Sequence, residues 1–137
     1  MMHVTPHVSD YMDKSFVTLT PDMDVYKAID IMIDKKITGA AVVDEKGNLV
    51  GVLSEKDCLR TLVHCAYSGL PTGKVSDFMT KKVFTISPDL DVFTVADQFL
   101  KINHRRLLVV KNNKLVGQIT RRDLLRAIQK IKITESR

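Results

Sequence analysis

The sequence predicts an α+β fold made of two pseudo-symmetric copies of one β-α-β-β-α unit, packed sheet to sheet. Three observations carry that expectation. Val8-Ser9-Asp10-Tyr11-Met12 returns as Val75-Ser76-Asp77-Phe78-Met79, and Thr18-Leu19-Thr20-Pro21-Asp22-Met23-Asp24-Val25 returns as Thr85-Ile86-Ser87-Pro88-Asp89-Leu90-Asp91-Val92. Leu49-Val50-Gly51-Val52-Leu53-Ser54-Glu55-Lys56-Asp57 returns as Leu115-Val116-Gly117-Gln118-Ile119-Thr120-Arg121-Arg122-Asp123. Between these marks, short β-rich runs alternate with runs of helical spacing in the same order twice. More than a third of the aligned positions are identical, against roughly 6% by chance from average residue usage.

Each element has a local reason. Phe16-Val17-Thr18-Leu19 is a brief β-rich run ended by Thr20-Pro21. Pro21 and Asp22 are expected to open a helix with Val25, Ala28, Ile29, Met32 and Ile33 at helical spacing, and Gly39 to break it. Ala40-Ala41-Val42-Val43 reads as a buried strand, and Asp44 to Asn48 as a hairpin turn into the strand Leu49 to Leu53. The closing helix begins after Ser54 and is expected to turn Cys58, Leu59, Leu62 and Val63 inward. In the second copy, Val95, Ala96, Phe99, Leu100 and Ile102 mark the first helix and Leu107 to Val110 the second strand. Its hairpin tightens to Asn112-Asn113, a pair that tolerates positive φ. Leu124, Leu125, Ile128 and Ile131 continue the last helix, and the tail from Thr134 is expected to fray. Residues 1–68 thus hold the first repeat with an N-terminal lead, and 69–137 a linker and the second repeat.

Composition narrows the classes. With 45% hydrophobic and 27% charged residues the 137-residue chain is an ordinary globular one. No apolar run approaches the ~20 residues of a membrane helix, and the start lacks the apolar core of a secretory signal. The two cysteines, Cys58 and Cys65, suit half-buried thiols in a reducing cytoplasm, so the expected compartment is cytoplasmic. The net charge of +5 divides into −3 over residues 1–68 and +8 over the rest, which invites an anionic partner. His3 and His7 are too weak a pair to imply a metal.

The doubled motif allows two readings. Ser54 and Thr120 are natural N-caps, and Asp57 and Asp123 stand at the third helical position, as in a capping box. A strand running into a helix N-terminus also brings backbone donors to an anion. Arg121 and Arg122 occupy a first turn where the macrodipole disfavours cations, which makes better sense with an anion nearby.

The order strand, Pro-Asp-x-Asp-Val helix, paired apolar strands and Gly-x-x-(Ser/Thr)-x-x-Asp resembles the cystathionine-β-synthase (CBS) domain. Two in tandem resemble a stand-alone Bateman module, and the resemblance runs from Val8 to Ile131. It implies a regulatory sensor that binds AMP, ADP, ATP or S-adenosylmethionine in the cleft between repeats and signals to a regulated protein partner. No cofactor and no metal are implied. By that resemblance one mouth would use Gln118, Thr120 and Asp123 with Met12, Val17, Ile37, Thr38 and Gly39. The other would use Val52, Ser54 and Asp57 with Met79, Phe84, His104, Arg105 and Arg106, the last two near the pseudo-twofold axis. The aspartates would take ribose hydroxyls, and Arg121 and Arg122 would favour phosphates at the Thr120/Asp123 mouth. Ala41 and Leu108 stand where family strands often carry proline.

Competing readings remain beside this one. Met12 and Met79 also suit core plugs, and His104 to Arg106 also suit a helix C-terminal dipole. An enzyme is not expected, since no nucleophile–base set, P-loop or dinucleotide fingerprint is present. The chain is expected to form a homodimer, and the alternative function is a ligand-free dimerisation or protein-interaction module. Nucleic-acid binding through the basic second repeat is the weaker alternative, because the chain has no Trp and 6% aromatic residues.

Overall fold

Residues 5–68 and 73–135 are described by the computed structural model. Most of the expected linker, His3 and residues 136–137 lie outside that range, as does the side chain of Cys65. In chain order the elements are α1 (Val8–Tyr11), β1 (Thr18–Leu19), α2 (Val25–Lys35), β2 (Gly39–Val43), β3 (Leu49–Ser54) and α3 (Glu55–Ser68). They continue as α4 (Val75–Phe78), β4 (Thr85–Ile86), α5 (Val92–Lys101), β5 (Arg106–Lys111), β6 (Lys114–Thr120) and α6 (Arg121–Glu135). Two three-stranded sheets result, β1-β2-β3 and β4-β5-β6, each with its first pair parallel and its second antiparallel.

The compact units are offset from the sequence repeats. The first unit is Val17–Val83, and the second joins the described residues of Met1–Phe16 to those of Phe84–Arg137. Each unit therefore takes the sheet of one repeat and the short leader helix of the other. Apolar burial fixes the exchange. Val8 of α1 is fully buried among Val95, Leu107 and Ile119, while Val75 of α4 is fully buried among Leu19, Val42 and Leu53. A buried valine contributes roughly 1.5–3 kcal/mol. Backbone bonds stitch each leader to the helix start it meets. Val8 N donates to Leu90 O at 2.8 Å and Val92 N to Pro6 O at 3.1 Å; Val75 N donates to Met23 O at 2.8 Å and Val25 N to Gly73 O at 3.0 Å.

Local chemistry sets the boundaries, in places differently from the sequence expectation. Asp24, not Pro21 or Asp22, caps α2 by accepting from Tyr26 N at 3.0 Å, and Asp91 caps α5 by accepting from Thr94 N at 2.9 Å. A side chain that satisfies a first-turn amide defines the start, and the preceding prolines sit in turns. Lys36, at φ 56°, ends α2; its N–H and that of Ile37 bond back to Ile33 and Met32 carbonyls. Gly39, expected to break the helix, instead opens β2. Asn112 and Asn113 take φ 51° and 67° in the tight β5–β6 turn.

The inward face of α3 also differs from expectation. Leu59, Leu62 and Val63 are 61%, 68% and 56% exposed, whereas Asp57 and Thr61 are buried and Cys58 is half-buried. The reason is the cap. Asp57 must turn back toward the end of β3 to reach Ser54, and at 100° per residue that rotation carries Thr61 inward and Leu59, Leu62 and Val63 outward. In α6 the same rotation buries Asp123, Leu124 and Ala127 and exposes Leu125 and Ile128.

Candidate functional site

Both strand-to-helix corners close as reciprocal capping boxes. At the first, Ser54 N and Ser54 Oγ donate to Asp57 Oδ2, each at 2.9 Å, while Asp57 N donates to Ser54 Oγ at 3.2 Å. At the second, Thr120 N and Oγ1 donate to Asp123 Oδ2 at 2.8 and 3.0 Å, and Asp123 N donates to Thr120 Oγ1 at 3.3 Å. An arginine one turn on occupies the other carboxylate oxygen, Arg60 at 2.6 Å from Asp57 Oδ1 and Arg126 on Asp123 Oδ1. Two carboxylates buried to 2% and 5% exposure are thus held by charge-assisted hydrogen bonds. The capping-box reading is therefore realised at both corners. It does not exclude a ligand, because a carboxylate has about four lone-pair sites.

The leaders lie against these corners. Asp13 N donates to Gln118 O at 2.7 Å and Gln118 N to Asp13 O at 3.0 Å, while Thr80 and Val52 exchange the same two bonds at 2.9 Å each. The motif glycines make room for this approach. A Cβ on Gly117 would stand 2.6 Å from Met12 Sδ, and one on Gly51 would stand 2.7 Å from Met79 Sδ and 2.9 Å from Thr80 O. Met12 and Met79 pack against the apolar clusters beneath.

The corners part company at the leader residue that follows the methionine. Thr80 Oγ1 stands 3.3 and 3.4 Å from the two oxygens of Asp57 and donates to them. Its counterpart in the other leader is Asp13, whose Oδ1 accepts from Ser15 N at 2.8 Å. Beside Asp123 the second unit holds a pocket of about 520 Å³, lined by Met12, Asp13, Lys14, Ser15, Gln118, Thr120, Asp123 and Arg126. That volume lies within the roughly 300–1,000 Å³ of small-molecule sites.

Of the residues expected at the Asp123 mouth, Met12, Gln118 and Thr120 are brought together with Asp123. Val17, Ile37, Thr38 and Gly39 belong to the first unit, where Gly39 stands opposite Ser54 and Thr38 O accepts from Glu55 N at 2.9 Å. Of those expected with Asp57, Val52, Ser54 and Met79 share its corner, whereas Phe84, His104, Arg105 and Arg106 belong to the second unit. Arg106 opens β5 opposite Thr120. Arg121 lines a groove of about 640 Å³ between α5 and α6, with Leu100, Leu125 and Ile128. Arg122 is exposed.

Sequence reasoning passed over Thr80, Asp13 and the paired Arg60 and Arg126. The arginines are identical in the two repeats, three residues beyond each motif aspartate, and the Asp13/Thr80 mismatch interrupts an otherwise matching leader. Burial, then the neighbouring Asp57 and Glu55 carboxylates, push the Cys58 thiol above its ordinary pKa. Among the described residues no cluster of three or more His, Cys, Asp and Glu side chains has the makings of a metal site. No described helix is long and apolar enough to cross a membrane.

Comparison with known proteins matches this architecture. The CBS-domain family model matches residues 8–64 and 75–130. The structure of Arabidopsis thaliana CBSX2 in complex with AMP is 30% identical, covering 92% of this chain and 98% of that one with a TM-score of 0.78. The CBS domain pair of MJ0100, in complex with 5′-methylthioadenosine and S-adenosyl-L-methionine, is 26% identical, covering 93% and 98% with a TM-score of 0.72. Inosine-5′-monophosphate dehydrogenase of Aquifex aeolicus is 38% identical over 80% of this chain. The chain spans less than half the length of the first two curated relatives it matches, 22% in that enzyme's case, and 90% of the third.

Proposed function

The chain belongs to the CBS-domain family, and on that premise we propose that it is a regulatory module whose Asp123 corner binds an adenosine-type small molecule. The observation that carries this reading is the pocket of about 520 Å³ beside a buried carboxylate that is not closed by a leader hydroxyl. The lone-pair capacity that Thr120 and Arg126 leave on Asp123 accepts a ribose hydroxyl, Thr120 and Gln118 supply further polar contacts, and Met12 gives an apolar wall. Two relatives of the same architecture, one with AMP and one with 5′-methylthioadenosine and S-adenosylmethionine, support the ligand class. The module carries no reaction of its own. Occupancy acts by favouring whichever arrangement of the chain binds the ligand better, and a protein partner reads that arrangement.

Isothermal titration of AMP, ATP and S-adenosylmethionine tests the reading. Asp123→Ala is expected to weaken binding by about 1.5–3 kcal/mol, the scale of hydrogen bonds to a charged group, while Asp57→Ala leaves affinity within twofold. Unchanged affinity in folded Asp123→Ala protein overturns the assignment.

A second reading, association of the chain with another copy, is favoured by the apolar side chains the helices expose. Leu59, Leu62, Val63 and Tyr67 lie outward on α3, and Leu100, Leu125 and Ile128 on α5 and α6. Faces of this kind mark association surfaces, and a homodimer covers them. Sedimentation should show a dimer that Leu62→Glu or Leu125→Glu converts to monomer; a monomer at every concentration sinks this reading.

A further inference from the structure

The Asp123 pocket differs from its sister corner in charge as well as in the leader contact to its carboxylate. Asp13 stands where the sister leader has Thr80, Ser15 where it has Lys82, and Gln118 where β3 has Val52. Among the residues that line the pocket, Asp13 and Asp123 balance Lys14 and Arg126, and Arg126 is already committed to Asp123. The equivalent positions of the first unit set Asp57 against Arg60, Lys81 and Lys82. The two corners thus invert the usual expectation for a phosphate site: the carboxylate without a leader hydroxyl on it is the one beside the extra acid. The cations that pointed to phosphates in the sequence do not reverse this. Arg121 lines the α5–α6 groove, and neither Arg122 nor Arg106 lines the pocket.

Asp13 is also held in place. Both of its backbone groups bond to Gln118, and its Oδ1 is anchored on Ser15 N, so the carboxylate is a fixed part of the rim. A cavity of about 520 Å³ is roughly 8 Å across, about one screening length at physiological ionic strength. A phosphate bound anywhere in it carries a charge of about −1.5 to −2 and meets the Asp13 charge incompletely screened. A neutral thioether meets no such penalty, and a sulfonium is attracted.

We propose that Asp13 is a specificity-determining residue, and that the Asp123 pocket selects adenosyl ligands whose 5′ end is neutral or cationic over adenosine 5′-phosphates. This rests on the ligand reading above and names the class within it. Gln118, which offers both a donor and an acceptor, adds a neutral polar contact that Val52 withholds from the sister corner.

The test is isothermal titration of 5′-methylthioadenosine, S-adenosylmethionine, AMP and ATP into the full chain and into Asp13→Asn and Asp13→Thr. Asparagine keeps the oxygen that accepts from Ser15 N, and threonine is the sister residue, so both variants are built to fold. The unaltered chain should bind 5′-methylthioadenosine about tenfold or more tightly than AMP at low salt, with ATP weaker still, and the preference should shrink as salt is raised. Both variants should gain about tenfold for AMP and stay within twofold for 5′-methylthioadenosine. Tighter binding of AMP than of 5′-methylthioadenosine by the unaltered chain, or a preference that neither variant alters, overturns the proposal while leaving the ligand reading intact. Absence of binding by all four compounds overturns both.

Discussion

At the Asp57 corner a leader threonine stands 3.3 and 3.4 Å from the carboxylate oxygens, whereas at the Asp123 corner the same leader position is Asp13, turned to Ser15 N. Much of what builds the two corners is shared: the hydroxyl N-cap, the arginine one turn on, the glycine beneath a leader methionine. Repetition therefore reproduces the cap, and the leader residue after the methionine decides whether a hydroxyl donates to the capped carboxylate. On the proposed function, a ribose at Asp57 would have to displace a hydroxyl that already donates there, and a ribose at Asp123 would not.

The comparison breaks most forcefully at the glycines. Gly51→Ala places a Cβ 2.9 Å from the backbone oxygen of Thr80 as well as 2.7 Å from Met79 Sδ, so the α4 leader must shift. We expect a loss of about 1–3 kcal/mol by urea denaturation, the usual cost of overpacking. Gly117→Ala should cost less, because its nearest clash is the flexible end of Met12 and the closest backbone oxygen is 3.2 Å away. Equal losses would show that the leaders are not seated as described.

The aspartates should then separate stability from binding. Asp57→Ala strands the Ser54 amide and hydroxyl, the Arg60 guanidinium and the Thr80 hydroxyl, and should cost about 1–3 kcal/mol of stability with ligand affinity retained. Asp123→Ala strands one donor fewer and loses the ligand. Thr80→Val, which removes the hydroxyl at nearly constant shape, sharpens the contrast further: about 0.5–1.5 kcal/mol of stability and no change in binding.

Smaller effects follow from titration. Hydrogen bonds from Thr94 hold Asp91 below its ordinary 3.8, and the Asn48 amide does the same for Asp44. A carboxylate with a depressed folded pKa contributes stability above its unfolded pKa and loses it as pH falls through the folded one. Thermal melts should therefore fall off below the ordinary carboxylate range, with the acid limb flattened in Asp91→Asn. An unchanged limb would contradict the role of that cap. Smallest of all, the raised Cys58 thiol should alkylate slowly at neutral pH and faster as pH rises.

Much of this was legible in the sequence because it is local. Capping residues, the Asn112-Asn113 turn and the strand-to-helix motif each carry their reason within a few positions, and the repeat states them twice. The exchange of leaders was not, since Val8 and Val75 suit either core equally and only tertiary packing decides between them. Apolar periodicity misjudged α3 because Leu59, Leu62 and Val63 form an apolar stripe as good as a buried one. The Ser54–Asp57 box fixes the rotation that turns them outward. The Asp13/Thr80 difference stood in the alignment of the repeats, but its meaning required knowing that each leader lies against the other repeat's aspartate.

The most direct test of that asymmetry is the number of adenosyl ligands bound per chain at saturation, measured by titrating 5′-methylthioadenosine and AMP into the purified protein. One site per chain, abolished in Asp123→Ala and retained in Asp57→Ala, is the predicted result. Two equivalent sites, or a single site lost only in Asp57→Ala, would contradict it.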